Sequence, residues 1–224
     1  MTIKIICCEV MKEELLSVKP EIETELEFIS MGLHLHPEKL KVELQNVINR
    51  SKGYTKIILG FGLCGGAVRG LQASECELII PKVHDCIPLL LGSKEEMEFQ
   101  KRRESGTFYL SCGWMLSEKN IISDYQRITK KFGEKKASKV LSRMFDSYKR
   151  ILFIHTGSSG ESKPLGSARE IGRLLGLRFD ETKGSKDYIY KLVNGPWDEE
   201  NFISIKPQET INEELFGISC ITMY

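Results

Sequence analysis

The sequence predicts an α/β protein, with a mostly parallel sheet flanked by helices in Rossmann-like layers. Short β-branched runs alternate with segments whose apolar residues recur at helical spacing. The 224 residues suffice for a single α/β domain spanning 1–224, and the hydrophobic share of 41% is that of an ordinary globular protein. Two lobes are the alternative organisation, with a seam near 93–106, where charged residues are dense.

The first half of the chain contains four predicted strands, which lie at 3–7, 25–30, 56–59 and 77–81. A helix is predicted over 10–18, and a second begins at Pro37, a residue that suits the first helical position. The apolar stripe of this second helix consists of Leu40, Leu44, Val47 and Ile48. The run 56–59 is apolar after its lysine, which indicates a strand buried on both faces.

The second half continues the alternation with more polar helices. Predicted strands lie at 107–111, at 151–154, near 178–179 and at 202–205. Residues 93–104 are expected to form an exposed, charged helix, and 117–150 two amphipathic helices with a break near Gly133. Further helices are expected over 167–175 and before Leu192.

The charge balance argues against several kinds of partner. Lysine and arginine number 32 against 31 aspartates and glutamates, a formal charge of +1, so no overall field attracts nucleic acid or an anionic membrane. Lys130-Lys131 and Lys135-Lys136 form one modest basic stretch, without the interleaved aromatics of single-strand binders. No apolar run approaches the roughly 20 residues that span a bilayer. The N-terminus lacks the features of a signal peptide, so we expect a cytoplasmic protein.

Cysteines and histidines recur just after the predicted strands. Five residues at such positions are candidate ligands: Cys8, Cys64, His84, Cys86 and Cys112. The carboxyl ends of parallel strands share one edge of a sheet, so these side chains are expected to meet there. Cys7 points away from Cys8 if the strand persists, and Cys76 and Cys220 fall elsewhere. The number of cysteines, seven, is odd, and a chain of this length in a reducing compartment needs no disulfides.

Thiolates and imidazoles brought together in this way suit a borderline-soft metal. We therefore predict a zinc ion or an iron–sulfur cluster held by Cys8, Cys64 and Cys86, and His84 or Cys112 is expected to supply the remaining ligand. Asp85 either orients His84 by hydrogen bonding or caps the next helix. The alternative for each cysteine is simple packing at a strand end, because cysteine is among the most buried residue types.

The glycine-rich segment after the third strand is a second candidate site. Gly60-x-Gly62-x-x-Gly65 has the spacing of a dinucleotide-binding turn, and a short helix is expected after it, toward Leu71. The acidic residue that such a turn requires would be Asp85, but it lies four positions beyond the end of the next strand and not directly at that end. Backbone amides of Gly62, Gly65 and Gly66 could hold a small anion or a nucleotide. Alternatively, these glycines only let the backbone approach a bound group closely.

These candidates give three functional hypotheses of different classes. The first is a metal-binding protein in which a zinc-bound thiolate site activates a thiol or a hydroxide, or an iron–sulfur cluster delivers electrons. The second is a non-enzymatic accessory protein that binds a small anion or a nucleotide on the loop 62–66. The third is a metal-free cysteine enzyme similar to cofactor-independent racemases, in which two thiols exchange protons with a small acid and His84 tunes thiolate formation. Whether the chain is an enzyme is left open.

Several motifs together resemble one family. They are Cys8-Glu9, Leu33-His34-Leu35-His36-Pro37, Gly62-Leu63-Cys64-Gly65, Pro81–Ile87 with Leu90–Ser93, Gly106–Tyr109, Gly113-Trp114, and Trp197 with Phe202. The family is domain of unknown function 1638, found in methanogenic archaea and anaerobic bacteria. The resemblance implies a role beside corrinoid-dependent methyltransferases in one-carbon or methylamine metabolism. We expect a small-molecule ligand at the carboxyl edge of the sheet, and the resemblance implies a corrinoid protein or a methyltransferase as partner. The usual second motif of the family is Leu-His-Asn, and Leu35 in place of the asparagine removes a hydrogen-bonding group.

Overall fold

A computed structural model describes residues 2–158 and 160–217 of the chain. Contacts within the chain divide it into two compact units. The first consists of Met1–Pro88 with Asp187–Tyr224, and the second of Leu89–Lys186. In the described part of the chain, no helix is both long enough and apolar enough to cross a membrane.

The first unit is built on a five-stranded sheet. Its strands are β1 (Thr2–Cys8), β2 (Glu23–Ile29), β3 (Lys56–Gly60), β4 (Glu77–Pro81) and β8 (Phe202–Ile205). The order across the sheet is β2-β1-β3-β4-β8, and β8 alone runs antiparallel to its neighbour. The central strands β1 and β3 are lined by isoleucines that are fully buried, as expected for strands covered on both faces.

The helices of the first unit are short, apart from one. They are α1 (Lys12–Ser17), α2 (Pro37–Arg50) and α9 (Asp187–Asn194), with 3-10 helices at Glu9–Met11, Met31–Leu35, Cys64–Gly66 and Glu213–Phe216. A further helix, α3 (Ile87–Leu91), spans the boundary between the two units. The apolar stripe predicted for α2 is confirmed, since its four residues are buried.

The second unit has a three-stranded sheet of its own. Its strands are β5 (Thr107–Ser111), β6 (Arg150–His155) and β7 (Arg178–Lys183), all parallel and in that order. The helices are α4 (Lys94–Arg103), α5 (Cys112–Leu116), α6 (Ile121–Phe132), α7 (Glu134–Met144) and α8 (Ser162–Leu175). Leu110, Ile151, Phe153 and Ile171 form a buried cluster in which β5, β6 and α8 meet.

The predicted class, an α/β protein with a mostly parallel sheet and flanking helices, is confirmed. The break between the two amphipathic helices lies at Gly133, as predicted. The short helix predicted toward Leu71 is wrong, because Gly65, Gly66 and Gly70 all have positive φ, which a right-handed helix does not allow. The Rossmann-like layering and the seam near 93–106 stay predictions.

Candidate functional site

Four adjacent parallel strands of the first unit end along the same edge of the sheet, in the order β2, β1, β3, β4. Cys8 is the last residue of β1, Cys64 lies four residues after β3, and Cys86 five residues after β4. His34 lies five residues after β2. Loops at the carboxyl ends of parallel strands are the usual position of ligand sites in such sheets.

The thiols of Cys8, Cys64 and Cys86 act electrostatically on one another, which places the three cysteines within electrostatic range at this edge of the sheet. Cys7 also acts on Cys64 and Cys86. Its thiol donates a hydrogen bond to the carbonyl oxygen of Gly60 on β3, at 3.5 Å. We call these four cysteines the thiol cluster.

Burial has the largest effect on the pKa values of the thiol cluster. It raises the pKa of Cys8 to about 12, and it raises the pKa values of Cys64 and Cys86 as well. The carboxylates of Glu9, beside Cys8, and of Asp85, beside Cys64 and Cys86, add to these increases in pKa, since negative charge disfavours a thiolate. The thiols are therefore protonated at neutral pH unless a cation stabilises their anions.

Backbone amides are directed at three sulfurs of the thiol cluster, and the first is the Cys8 N–H, which bonds to the Cys7 sulfur. The Val10 N–H bonds to the Cys8 sulfur, and the Gly62 N–H bonds to the Cys64 sulfur. Each bond favours the thiolate and so opposes the effect of burial on the pKa of that cysteine. Hydrogen bonds to sulfur are also one of the means by which proteins tune metal–thiolate centres.

The loop that carries Cys64 is fixed against the segment after β4. The N–H groups of Leu63 and Cys64 donate to the carbonyls of Val83 and His84, at 3.1 and 3.0 Å. A Cβ atom at Gly62 would lie 2.6 Å from backbone atoms of the same segment, so only glycine permits this approach. The contact brings the Cys64 loop against the segment that leads to Cys86.

The backbone of Cys64 itself is unusual. Its φ of 46° lies in the left-handed region, which residues other than glycine seldom adopt. Gly65 and Gly66 follow with φ of 67° and 89°. Such strain costs about 1–3 kcal/mol and is concentrated at functional sites.

The same loop is a poor phosphate cradle. A dinucleotide-binding turn presents free amides at the start of a helix, but only a three-residue 3-10 helix follows here. The amides of Gly62, Leu63, Cys64 and Gly66 already donate hydrogen bonds within the chain. Few donors are therefore left for an anion at the predicted residues Gly62, Gly65 and Gly66.

His34 is a residue of this edge that was absent from the predicted ligand set. Its Nε2 is buried and has no hydrogen-bond partner among the described residues. The ring stacks on Phe61, with centroids 5.9 Å apart, and Pro37 lies within 3.3 Å of the Cβ position of Gly65. Burial lowers the pKa of His34, although Glu9 partly opposes this, so the ring is neutral near pH 7. The sequence feature that could have identified His34 as a candidate ligand is its position shortly after the strand β2.

The other cysteines and the histidine considered in the sequence analysis occupy different positions in the fold. His84 is half-buried, and its carbonyl accepts the Cys64 N–H. Cys112 is buried at the start of α5 in the second unit, beyond a different sheet. Cys76 precedes β4 and so lies at the opposite end of that strand from Cys86. Cys220 lies outside the described residues.

Over residues 2–158 and 160–217, no three His, Cys, Asp or Glu side chains are arranged as a group that could hold a metal ion. The predicted set of Cys8, Cys64, His84, Cys86 and Cys112 is thus not assembled as a ready coordination shell. Three of its thiols nevertheless share one neighbourhood. Metal binding at this edge stays a prediction.

Comparison with known proteins identifies the family. The family model described as "Protein of unknown function (DUF1638)" matches residues 28–193, about three quarters of the chain. The chain belongs to this family. The part that matches the DUF1638 model includes His34, Cys64 and Cys86. No curated protein and no solved structure matches the chain. The DUF1638 description names neither ligand nor partner, so the corrinoid and methyltransferase associations stay predictions.

Proposed function

We propose that this DUF1638 protein binds a thiophilic metal, either a zinc ion or an iron–sulfur cluster, through Cys8, Cys64 and Cys86. The observation that carries the proposal is the convergence of three thiols from the ends of the adjacent strands β1, β3 and β4. Thiolates are the preferred ligands of soft and borderline metals, and three of them leave a fourth position for another group.

The surroundings of the sulfurs favour a bound cation. Glu9 and Asp85 are the charged side chains that act on Cys8 and Cys64, and their field attracts positive charge. The Val10 and Gly62 amides already donate to two of the sulfurs and would stabilise them as thiolates. A metal would supply the remaining stabilisation, and each thiol that binds it would release a proton.

Binding requires the thiols to turn toward one point, because the described side chains are not arranged as a metal-binding group. A cysteine side chain rotates about a single bond with three staggered positions, so each sulfur has alternative directions available to it. His34, with its buried and unpartnered Nε2 at the same edge, is the candidate for the fourth ligand. With zinc, the site would activate a thiol or a hydroxide, whereas a cluster would transfer electrons.

A metal-free thiol enzyme is the second candidate, and the left-handed backbone of Cys64 favours it. Nucleophiles are often presented on strained turns that follow a strand. Reactive cysteines, however, sit in electropositive surroundings, whereas Cys64 lies beside the Asp85 carboxylate. A substrate carrying positive charge would be needed to favour the thiolate.

Metal and sulfide analysis of protein purified without oxygen tests the proposal. We expect about one zinc per chain, or iron with sulfide and broad visible absorbance, in the wild type. Cys8→Ser, Cys64→Ser and Cys86→Ser should each lower the metal content. Cys76→Ser is the matched control, a buried cysteine of the same unit at the other end of β4, and should retain it.

A wild-type protein that contains no metal, and that takes up neither zinc nor iron with sulfide, would contradict the proposal. Alkylation with iodoacetamide would then separate the alternatives. Rapid modification of Cys64 alone, relative to Cys8 and Cys86, would support the thiol enzyme.

A further inference from the structure

The turn between α6 and α7 in the second unit carries an unusual concentration of positive charge. Residues 121–144 contain five lysines and two arginines against one aspartate and one glutamate, a formal charge of +5 in a chain whose total is +1. The rest of the chain therefore carries −4. Seven consecutive residues, 130–136, are exposed at the end of this helical hairpin.

An aromatic ring stands at the centre of this charge. Phe132 is 48% exposed, at the last position of α6. The Lys131 and Lys136 ammonium groups lie 5.1 and 4.5 Å from the centre of its ring. Lys130 and Lys135 are exposed beside them. Leaving about half of a large apolar side chain in water forgoes part of the stabilisation that burial would bring.

We infer that this basic tip, residues 130–136, is a docking surface for a protein segment rich in carboxylates. An aromatic anchor ringed by basic side chains is the composition of an interface core with a charged rim. The ring would enter an apolar depression of the partner, while the four lysines pair with surrounding aspartates and glutamates and set the rate of encounter. The inference is independent of the thiol cluster.

The shape of the patch favours a protein over other polyanions. A nucleic-acid surface tracks the phosphate backbone with a long basic stripe, whereas this patch covers one turn and includes Glu134. An amphipathic helix that lies in a membrane presents an open apolar face. Here Ala137 and Leu141 of α7 are buried, and Ile121 and Ile122 of α6 pack against the core of the second unit.

Fluorescence anisotropy with a labelled synthetic peptide of glutamates around one leucine, at low salt, tests the inference. Lys130→Ala with Lys131→Ala should weaken binding roughly tenfold, and Phe132→Ser should weaken it by a similar factor. Arg102→Ala with Arg103→Ala is the matched control, since it removes the same charge from exposed positions on α4. This control should change binding less than about twofold.

Three results would overturn the inference. One is the absence of binding to the peptide by the wild type. Another is equal weakening by both double variants with no effect of Phe132→Ser, because net charge alone would then explain it. The third is tighter binding, dependent on the same lysines, to mixed-sequence duplex DNA or to phosphatidylserine vesicles. Circular dichroism of each variant verifies that the fold is retained.

Discussion

Gly62 shows at the scale of one residue how the backbone determines the position of a functional group. No side chain fits there, because a Cβ atom would lie 2.6 to 2.7 Å from backbone atoms of Val83, His84 and Asp85. These atoms belong to main chain, which cannot move aside as a flexible side chain would. The approach that Gly62 allows holds the Cys64 loop against the segment that leads to Cys86.

Gly62→Ala is therefore expected to lower the free energy of unfolding by about 2–4 kcal/mol, through overpacking against backbone. Urea unfolding monitored by circular dichroism measures the change. Gly166→Ala is the matched control, since Gly166 lies in α8 with nothing within 4 Å of its Cβ position. It should stabilise the protein by about 0.5–1 kcal/mol, because alanine favours helix. Equal stabilities of the two variants would contradict this account of Gly62.

Residue-scale reasoning from the sequence identified most of the thiol cluster. Cys8, Cys64 and Cys86 were predicted to meet because each follows a strand, and their thiols lie within electrostatic range of one another. Cys7 was predicted to point away from Cys8, and its thiol nevertheless acts on Cys64 and Cys86. The alternation of side chains along a strand predicts the face of the sheet on which a side chain lies. It does not predict that Gly60 on the neighbouring strand β3, which has no side chain, leaves room for the Cys7 sulfur.

At the scale of secondary-structure elements, Arg150 joins four of them in the second unit. It begins β6, is 1% exposed, and donates to Thr107 of β5 at 2.8 Å and to the Gln100 side chain of α4 at 2.9 Å. It also pairs with Asp180 of β7 at 3.3 Å. A buried guanidinium with all of these partners fixes the start of β6 between its neighbours.

Arg150→Met should lower the free energy of unfolding by about 3–5 kcal/mol, because it leaves buried partners unsatisfied. Arg178→Met is the matched control, since Arg178 pairs with the same Asp180 at 3.1 Å but is itself exposed. It should cost less than about 1 kcal/mol. Urea unfolding compares the two, and a cost for Arg178→Met as large as that for Arg150→Met would refute the distinction.

His155 links the carboxyl end of β6 to two carboxylates. Its ring nitrogens lie 2.9 Å from Glu161, just before α8, and 2.9 Å from Glu181 on β7. Burial alone would lower the pKa of His155, but the hydrogen bonds to Glu161 and Glu181 outweigh it and raise that pKa above 6.5. The fold therefore favours the charged imidazolium. This contribution to stability is complete below the ordinary histidine pKa and is lost as the pH rises through the raised value.

His155→Gln should consequently lower the free energy of unfolding more at about pH 5.5 than at about pH 9, on either side of the ordinary pKa. Urea unfolding of both proteins at the two pH values measures the difference. A difference that grows with pH would have the wrong sign for this linkage. Titration of the His155 ring by NMR in Glu161→Gln supplies a control, since loss of that carboxylate should lower the pKa of His155.

At the scale of the whole molecule, the alternation of strands and helices was predictable, whereas the pairing of the strands was not. Local pattern placed the strands 56–59 and 77–81 close to their observed limits. Partition into two sheets depends on contacts between distant residues, which periodicity does not report. For this reason Cys112 was included among the predicted metal ligands with the other cysteines. The strand that precedes it, β5, belongs to the sheet of the second unit.

The glycine loop lacks the backbone conformation of a dinucleotide-binding turn for a related reason. The spacing of Gly60, Gly62 and Gly65 matched the fingerprint, but the fingerprint does not record backbone conformation. Positive φ at Gly65 and Gly66 is incompatible with an α-helix, and only the three-residue 3-10 helix Cys64–Gly66 forms there. The loop instead forms hydrogen bonds with the segment after β4, and these bonds fix the position of Cys64 in the thiol cluster.

Addition of Co²⁺ to the reduced, metal-free protein tests the central claim most directly, because cobalt bound by thiolates shows sulfur-to-metal charge-transfer absorption. We predict that the wild type gives this absorption at about one cobalt per chain. Its intensity should fall in Cys8→Ser, Cys64→Ser and Cys86→Ser and be unchanged in Cys76→Ser. A wild-type spectrum without charge-transfer absorption, or one that all four substitutions leave intact, would contradict a shared metal site on these three cysteines.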